Sequence, residues 1–492
     1  MSDHRLRARR KPAKGTSPPA GPTPVTRRRG TVAAETTLLA ASDTAGLILA
    51  VVIAFYLWAG PVLHQPGRVY LELLPLLPLV LLAYAEGGLY PGFGLGAVVI
   101  LRRISLRTSF VYFSLAAVTY AFKLPHRHSR VTFTLAWVLS LLLVPLLRFA
   151  ALGLTRRLLW WGEPAVVVGS GELAERTITS LAGALSLGYR TVGVLTAKGS
   201  GGQESVCGVP VLGDVSRADE IAASGVRVAL LAWPAGGEGS ELVARLQGIF
   251  RHVLVVRDFE NMPVEGLEVR NLGRVFGVEV TNQLLRRPQR TIKRSVDLVL
   301  GAVGLLLALP VLLVAALLVR LSSRGPVLFA QERIGRHGKT IRIYKLRTMV
   351  EDAERVLEEH LATDCAARRE WEEGFKLAND PRLVPRLGRL LRRFSIDELP
   401  QLLNVLKGDM SLVGPRPFPA YHLASFPAEF RALREQVRPG ITGMWQVMVR
   451  SRGGLEEQQA YDTYYIRNWS LFMDVYLLSR TVFAVLSGRG AY

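Results

Sequence analysis

The sequence predicts a three-part membrane protein. Its parts are an α-helical membrane bundle, an α/β Rossmann-like domain, and a mostly α-helical carboxyl-terminal domain tethered by a re-entrant membrane helix. Three observations predict it. Four apolar runs lie close together near the amino terminus, a stretch of alternating short β-branched and helical segments follows, and an uncharged 22-residue run at Leu298–Val319 is basic on both flanks. Composition agrees. The 492 residues carry 61 Lys+Arg against 40 Asp+Glu, a net charge of +21, yet 49% are hydrophobic and only 21% charged. That balance excludes a disordered chain and an all-soluble enzyme, and points to partners that are anionic: lipid headgroups or phosphorylated substrates. Two distant cysteines, Cys207 and Cys365, exclude a disulfide framework or a cysteine zinc site.

Residues 1–31 hold nine Lys/Arg, five Pro and one acid, Asp3, so the segment reads as a disordered basic cytoplasmic tail that touches lipid rather than nucleic acid. No small-residue cleavage site follows a short apolar core, so a cleaved signal peptide is not expected. The apolar runs at about 36–58, 70–89, 104–122 and 131–153 each approach the roughly 20 residues that cross a bilayer, giving a four-helix bundle over 32–158. The third is the weakest, because Arg107 sits one turn inside it and has to snorkel. Counting basic residues places both ends of the bundle in the cytoplasm, with Lys123, Arg127 and Arg130 on the outer side against the rule. His126 and His128 in that loop read as polar surface.

From 159 to 283 the rhythm is that of βαβ units, with strands expected at 165–168, 191–195, 227–232 and 253–257. Gly169, Gly171 and Ala174 fit the glycine pattern that brings a pyrophosphate to a helix N-terminus. The acid expected after the second strand is missing, since the chain reads Leu195-Thr196-Ala197-Lys198. The turn therefore reads first as a tight strand-to-helix connection and second as a dinucleotide site.

Over 284–326 the uncharged run is long enough to span, but Pro310 removes a backbone donor within it. Arg286, Arg287, Arg290, Lys293 and Arg294 precede it, and Arg320 and Arg324 follow. A simple span puts one cluster outside, whereas a helix that enters, bends and returns keeps both inside. The expectation is a re-entrant hairpin.

The segment 327–492 carries the densest chemistry. Ser395 and Glu398 match a capping box, a structural account that leaves Asp397 unexplained. Two adjacent acids follow Arg392 and Arg393. Further cations stand in Tyr344-Lys345-Leu346-Arg347-Thr348-Met349, in Gly414-Pro415-Arg416-Pro417 and in Arg438-Pro439-Gly440-Ile441-Thr442-Gly443. Arginines in rigid Pro/Gly frames suit bidentate recognition of phosphate oxygens. Carboxylates among them stay ionised, fit to hold Mg²⁺ or to attack phosphorus. The apolar segment Trp469–Leu486 reads as an interfacial or a core helix.

These motifs, from Lys345-Leu346-Arg347-Thr348-Met349 through Ser395-Ile396-Asp397-Glu398-Leu399-Pro400 and Gly414-Pro415-Arg416-Pro417 to Arg438-Pro439-Gly440, resemble those of the bacterial sugar transferases. These are the monotopic polyprenyl-phosphate hexose-1-phosphate transferases. Gly88-Leu89-Tyr90-Pro91-Gly92 is similar to the large, undecaprenyl-phosphate galactose phosphotransferase-like members. The resemblance implies that 327–492 is a catalytic domain at the bacterial inner membrane, moving hexose-1-phosphate from a UDP-sugar to undecaprenyl phosphate with release of UMP. It implies Asp397 as nucleophile and Mg²⁺ ligand, with Glu398 assisting. Lys345, Arg347, Arg392, Arg416 and Arg438 would bind phosphate. Asp297, in a Lys-Arg-x-x-Asp pattern, would pair with a nearby arginine at the mouth of the hairpin. A homodimer is implied by the large members alone. Two other readings stand beside it. One is a membrane-anchored NAD-dependent nucleotide-sugar oxidoreductase, opposed by the lack of a Tyr-x-x-x-Lys dyad at Tyr461 and Tyr465. The other is a non-catalytic membrane scaffold.

Overall fold

A computed structural model describes residues 31–487, apart from 72–73, 122–128, 156–160, 184–186, 197–203, 233–237, 257–266, 272–275, 281–286, 323–324, 351, 375–376, 378–379, 386 and 450–453. The basic tail up to residue 30, the His126/His128 loop and the Lys198 position therefore lie outside the described residues. The chain divides into two compact units, Met1–Asp258 and Phe259–Tyr492.

In the first unit the four apolar runs fold as helices Thr31–Ala54, Leu77–Glu86, Ala97–Ala121 and Arg130–Thr155. Leu47, Val80, Tyr84, Ile104 and Val144 interlock as their shared core. The first and last helices pack backbone to backbone: a Cβ on Gly46 would stand 2.9 Å from Val144 Cα. Three segments, Val32–Ala59, Arg68–Glu86 and Arg130–Thr155, are long and apolar enough to cross a membrane. The third expected span is a 25-residue helix, Ala97–Ala121, less apolar than those three. Arg102, Arg103 and Arg107 are the reason. Arg103 Nη1 donates to Gly87 O at 2.8 Å and Arg107 Nη1 pairs with Glu86 Oε2 at 2.8 Å, so both turn toward the end of the preceding helix. Deeper in the bundle Arg148 pairs with Asp43, and the Tyr90 hydroxyl donates to the same carboxylate at 2.6 Å. A buried charge needs such a partner.

The same unit continues into a six-stranded sheet of order β3-β4-β2-β1-β5-β6. Its strands are β1 (Glu163–Gly169), β2 (Tyr189–Thr196), β3 (Ser205–Val206), β4 (Val209–Asp214), β5 (Val228–Ala232) and β6 (His252–Val256). All pairings are parallel except β3 with β4. The central strands are apolar on both faces: Val166, Val168 and Leu231 fill one core, Val167, Val194 and Leu230 the other. Two bonds join sheet and bundle, from Gly162 N to Glu35 Oε1 at 2.9 Å and from Gly94 N to Leu187 O at 2.7 Å. The strands expected at 165–168, 191–195, 227–232 and 253–257 are all present. The pair β7 (Leu267–Asn271) and β8 (Phe276–Val280) joins only with itself, antiparallel.

The second unit is organised on a 36-residue helix, Arg287–Ser322, which continues through Pro310. One side of it meets the rest of the unit along its length. Gly301 faces Val405 and Gly304 faces Leu402, while Ala315 and Val319 pack with Leu346, Leu391 and Ile396. The other side is bare: Leu306 is 70% exposed, Leu307 72% and Leu321 74%. After it come the antiparallel hairpin β9 (Leu328–Ile334) and β10 (Thr340–Leu346), and the helix Leu387–Arg393. The turn Ile396–Glu398 and the helix Gln401–Lys407 follow. The parallel pair β11 (Ser411–Val413) and β12 (Gly440–Thr442) comes next, and helices Leu455–Arg467 and Leu471–Ser487 close the fold.

Why the Gly-Pro-Arg-Pro and Pro-Gly-Ile-Thr-Gly stretches carry glycine is visible at β11/β12. A Cβ on Gly440 would lie 2.1 Å from Gly414 N, and one on Gly443 2.3 Å from Gly414 O. The two loops interlock backbone against backbone, which holds Arg416 at a fixed place. The closing helix is mixed: Asp474 and Leu477 are buried while Val482 and Phe483 are exposed. Gly440→Ala is expected to lower stability by about 1–3 kcal/mol through overpacking, read as an earlier unfolding transition of the detergent-solubilised chain.

Candidate active site

Ser395 adopts the left-handed conformation (φ 54°), breaking the chain after helix Leu387–Arg393 and starting the single 3₁₀ turn Ile396–Glu398. The expected capping box does not form. Ser395 makes no side-chain cap bond, and the Glu398 carboxylate does not reach back. It is taken by stronger partners instead. Its Oε1 accepts from Lys345 Nζ at 2.7 Å and from Arg416 Nη2 at 3.0 Å. Lys345 comes from β10, Arg416 from the loop after β11, so three segments remote in sequence converge on one oxygen. Charge-assisted bonds to a half-buried carboxylate outcompete a neutral cap.

Burial alone would raise the Glu398 pKa. Arg416 and Lys345 prevail and hold it down at about 2. Asp397 goes the other way. Burial first, then the adjacent Glu398 charge, push it up to about 6 against the pull of Lys345, Arg392 and Arg416. Only 6% of Asp397 is exposed, and among the described residues its carboxylate carries no hydrogen bond or ion pair. One acid is clamped and permanently charged. Its neighbour is unclamped, ringed by cations and unusually basic for a carboxylate.

Arg392 has partners of its own. Its Nε donates to Thr348 Oγ1 at 3.1 Å, and Nη1 stands 3.9 Å from Asp380 Oδ2. Asp380 is itself gripped by Arg382 through two 2.7 Å bonds. Burial lowers the Arg392 pKa, with Asp397 the leading opposing charge. Arg416 is fixed through its backbone as well, since Arg434 donates to its carbonyl and pairs with Asp462 at 3.1 Å.

Of the residues expected from sequence, Asp397, Glu398, Lys345, Arg392 and Arg416 come together. Arg347 is buried just beyond β10, its amide donating to Val327 O at 2.9 Å. Arg438 lies elsewhere: its Nε donates to Gly408 O at 2.8 Å, and its charged neighbours are Arg294, Asp297 and Arg290. Asp297 does not pair with an arginine among the described residues. Its Oδ1 accepts from Ser411 Oγ and from Leu412 N, each at 3.0 Å, tying the long helix to β11. A carboxylate that satisfies a strand amide and a hydroxyl is already paired. The lysine of the same motif makes the ion pair instead, Lys293 Nζ to Asp474 Oδ2 at 2.6 Å. Thr348, Asp380 and Asp462 were not foreseen.

The glycine turn of the sheet has a structural explanation. A Cβ on Gly169 would meet Ala232 O at 1.9 Å, and Ala174 is buried against the sheet, whereas Gly171 (φ 77°) opens outward. The first helical turn carries Glu172 and Glu175. These put negative charge where a coenzyme diphosphate would sit. The turn does not fit such a group.

A catalytic unit of this kind, cationic around a buried acid pair and built on an apolar helix, defines a membrane-associated transferase of phosphorylated substrates. Comparison with known proteins makes the class specific. The bacterial sugar transferase family matches residues 288–488, and a CoA-binding domain family matches residues 90–256. The undecaprenyl-phosphate galactose phosphotransferase of Salmonella typhimurium is 33% identical over 78% of this chain and 80% of its own. The UDP-glucose:undecaprenyl-phosphate glucose-1-phosphate transferase of Escherichia coli is 36% identical over 52% and 53%. The exopolysaccharide production protein ExoY of Rhizobium meliloti is 43% identical over 41% of this chain and 88% of its own. The chain belongs to the bacterial sugar transferases, the polyprenyl-phosphate hexose-1-phosphate transferase family. It is a transferase enzyme, so the oxidoreductase and scaffold readings give way.

A transfer step that uses the Asp397 carboxylate is expected to speed up as pH rises through about 6, where the proton leaves, and to level off above. A rate unchanged from about pH 5 to about pH 8 assigns the work to another group.

Proposed function

We propose that the chain moves hexose-1-phosphate from a UDP-sugar to undecaprenyl phosphate at the cytoplasmic face of the inner membrane, releasing UMP through a phosphosugar ester on Asp397. The observation that carries this reading is the division between the two acids. Glu398 is consumed by Lys345 and Arg416, while Asp397 keeps its oxygens unbonded among three cations. A carboxylate with a pKa near 6 is ionised at neutral pH and more nucleophilic than an ordinary one, as Brønsted behaviour requires. Lys345, Arg392 and Arg416 stabilise charge on the transferring phosphoryl group. Glu398 is a positioning residue that sets two of those cations.

Mg²⁺ fits the donor set in a limited way. Among the described residues no cluster of three ligating side chains exists, but Mg²⁺ in phosphoryl-transfer sites needs only one or two carboxylates beside substrate phosphates and water. Asp397 would hold it, with the second oxygen of Glu398, and bound there it would neutralise phosphate charge. The sugar named for the relatives differs, galactose in one and glucose in another, and the donor hexose of this chain is left open accordingly.

The helix is continuous through Pro310, and the re-entrant reading proposed here is of that one helix and not of the two-armed hairpin expected from the sequence. Residues on both sides of Pro310 rest on the same unit, Gly301 and Gly304 before it, Ala315 and Val319 after it. A helix whose two halves rest on one soluble body presents its bare apolar side to lipid without carrying that body across. The site then sits at headgroup depth, where the acceptor phosphate lies.

Detergent-extracted protein given a panel of UDP-sugars is expected to release UMP from one of them, with turnover requiring undecaprenyl phosphate and lost in EDTA. Asp397→Asn should abolish transfer of labelled sugar phosphate, and retained turnover would remove Asp397 as nucleophile. Cys207 and Cys365 are both exposed. An impermeant maleimide applied to spheroplasts should label neither until the inner membrane is permeabilised. Labelling of Cys365 from outside would make the long helix a span.

A further inference from the structure

Arg333 on β9 lies outside everything assigned above. Across the hairpin it faces Ile341, and Phe329 faces Lys345, so Arg333 and Lys345 project from one face of the two strands. That face looks into the site, because Lys345 reaches Glu398 from it at 2.7 Å. The neighbouring Ile334 amide donates to Phe418 O at 2.9 Å, which ties this end of β9 to the Pro415-Arg416-Pro417 loop. The Arg333 guanidinium donates to Gln331 Oε1 and, at 3.2 Å, to Glu332 O, both uncharged acceptors. Burial holds its pKa down at about 10; the Tyr421 hydroxyl works against that shift, and Arg416, a like charge, adds to it.

Lys293 has Asp474, Arg382 has Asp380, Arg434 has Asp462, and Lys345 and Arg416 share Glu398, whereas Arg294, Arg336 and Arg438 rest on backbone carbonyls. Arg333 has no carboxylate among the described residues. A half-buried guanidinium near a second one, whose Glu398 partner already serves Lys345 as well, is favoured when a ligand supplies further negative charge. Two adjacent guanidiniums match the oxygens of a phosphoryl group, which each grips in bidentate fashion.

We propose that Arg333 and Arg416 form one seat for the phosphate on the far side of the reacting phosphorus from Asp397. It holds the nucleotide phosphate as it leaves and the lipid phosphate as it arrives. The inference rests on the covalent reading above. In the first half-reaction an Asp397 oxygen bonds to the sugar-bearing phosphorus. The bond from that phosphorus to the bridging oxygen breaks, and the oxygen departs with its electron pair on UMP. In the second, an oxygen of the lipid phosphate attacks the same phosphorus and the bond to Asp397 breaks, returning the free carboxylate. In-line displacement puts the leaving and the entering oxygen at the same apical position, opposite Asp397. One seat therefore serves both. Arg333 is the second guanidinium that this position requires, one step further from Asp397 than Arg416.

The test uses the full chain in detergent with Arg333→Gln and Arg333→Lys. Arg333→Gln is expected to lower kcat/KM about 10- to 100-fold for the UDP-sugar in UMP release and for undecaprenyl phosphate in transfer, the loss of one charge-assisted phosphate contact. Arg333→Lys should recover part of each, and carries the comparison where the Gln variant does not fold. Inorganic pyrophosphate should raise the melting temperature of the unsubstituted chain more than that of either variant. A defect confined to one substrate, unchanged kinetics, or equal stabilisation by pyrophosphate would each overturn the shared seat. If the unsubstituted chain releases UMP from no UDP-sugar, the proposed function fails, while the pyrophosphate comparison still judges the seat.

Discussion

The bonds from Lys345 and Arg416 to a single oxygen of Glu398 are the constraint around which the catalytic unit is arranged. They bring a hairpin strand, a helical turn and a Pro-rich loop to one point, and much of the surrounding structure keeps those three segments in place. The glycine interlock of Gly414 with Gly440 and Gly443 fixes the loop that carries Arg416. Arg434 and Asp462 hold its carbonyl. Asp297 and Lys293 fasten β11, from which the loop departs, to the long helix through Leu412 N and Val413 O. Asn404, wholly buried, accepts from Tyr344 N at 3.0 Å and donates to Arg342 O at 2.7 Å, setting the strand that carries Lys345.

Because the clamp satisfies two cations with one acid, the adjacent acid is left without a partner in a site that burial has largely stripped of water. Two carboxylates next to each other cannot both be cheaply ionised. The clamp decides which one is: Glu398 stays ionised with its pKa near 2, and Asp397, near 6, absorbs the cost of proximity and burial. The asymmetry thus comes from hydrogen-bond geometry and not from any difference between aspartate and glutamate as acids. A flexible glutamate reaches two cations from the end of a 3₁₀ turn. The shorter aspartate, one residue earlier, does not.

Periodicity carried much of the fold. The β-branched runs around 165–168 and 227–232 were legible because a parallel strand is apolar on both faces, and β1 and β5 are buried throughout. The third apolar run was ambiguous for a reason the structure makes plain: its arginines belong to the interface with the preceding helix end. Motif density pointed to the Asp397 cluster, since guanidiniums gathered in rigid loops have few purpose-free explanations. What sequence could not supply was pairing. The capping-box pattern at Ser395 and Glu398 was present but lost to longer-range cations. Asp297 found a strand amide rather than a guanidinium. Arg438, in a motif as conspicuous as that of Arg416, faces a different group of charges. Asp380 and Asp462 hold site arginines from positions no local pattern marks. Such contacts depend on tertiary distance, and linear spacing does not encode it.

Ile396, the residue immediately before Asp397, is seated on Ala315 and Val319 of the apolar helix together with Leu391. The carboxylate and the greasy surface are therefore parts of one solid body, separated by side-chain contact and not by a tether. Such an object behaves as a depth gauge. With the helix lying in one leaflet, as proposed above, an amphiphile alongside it would offer its polar end at a constant height, and the search for a collision would become two-dimensional.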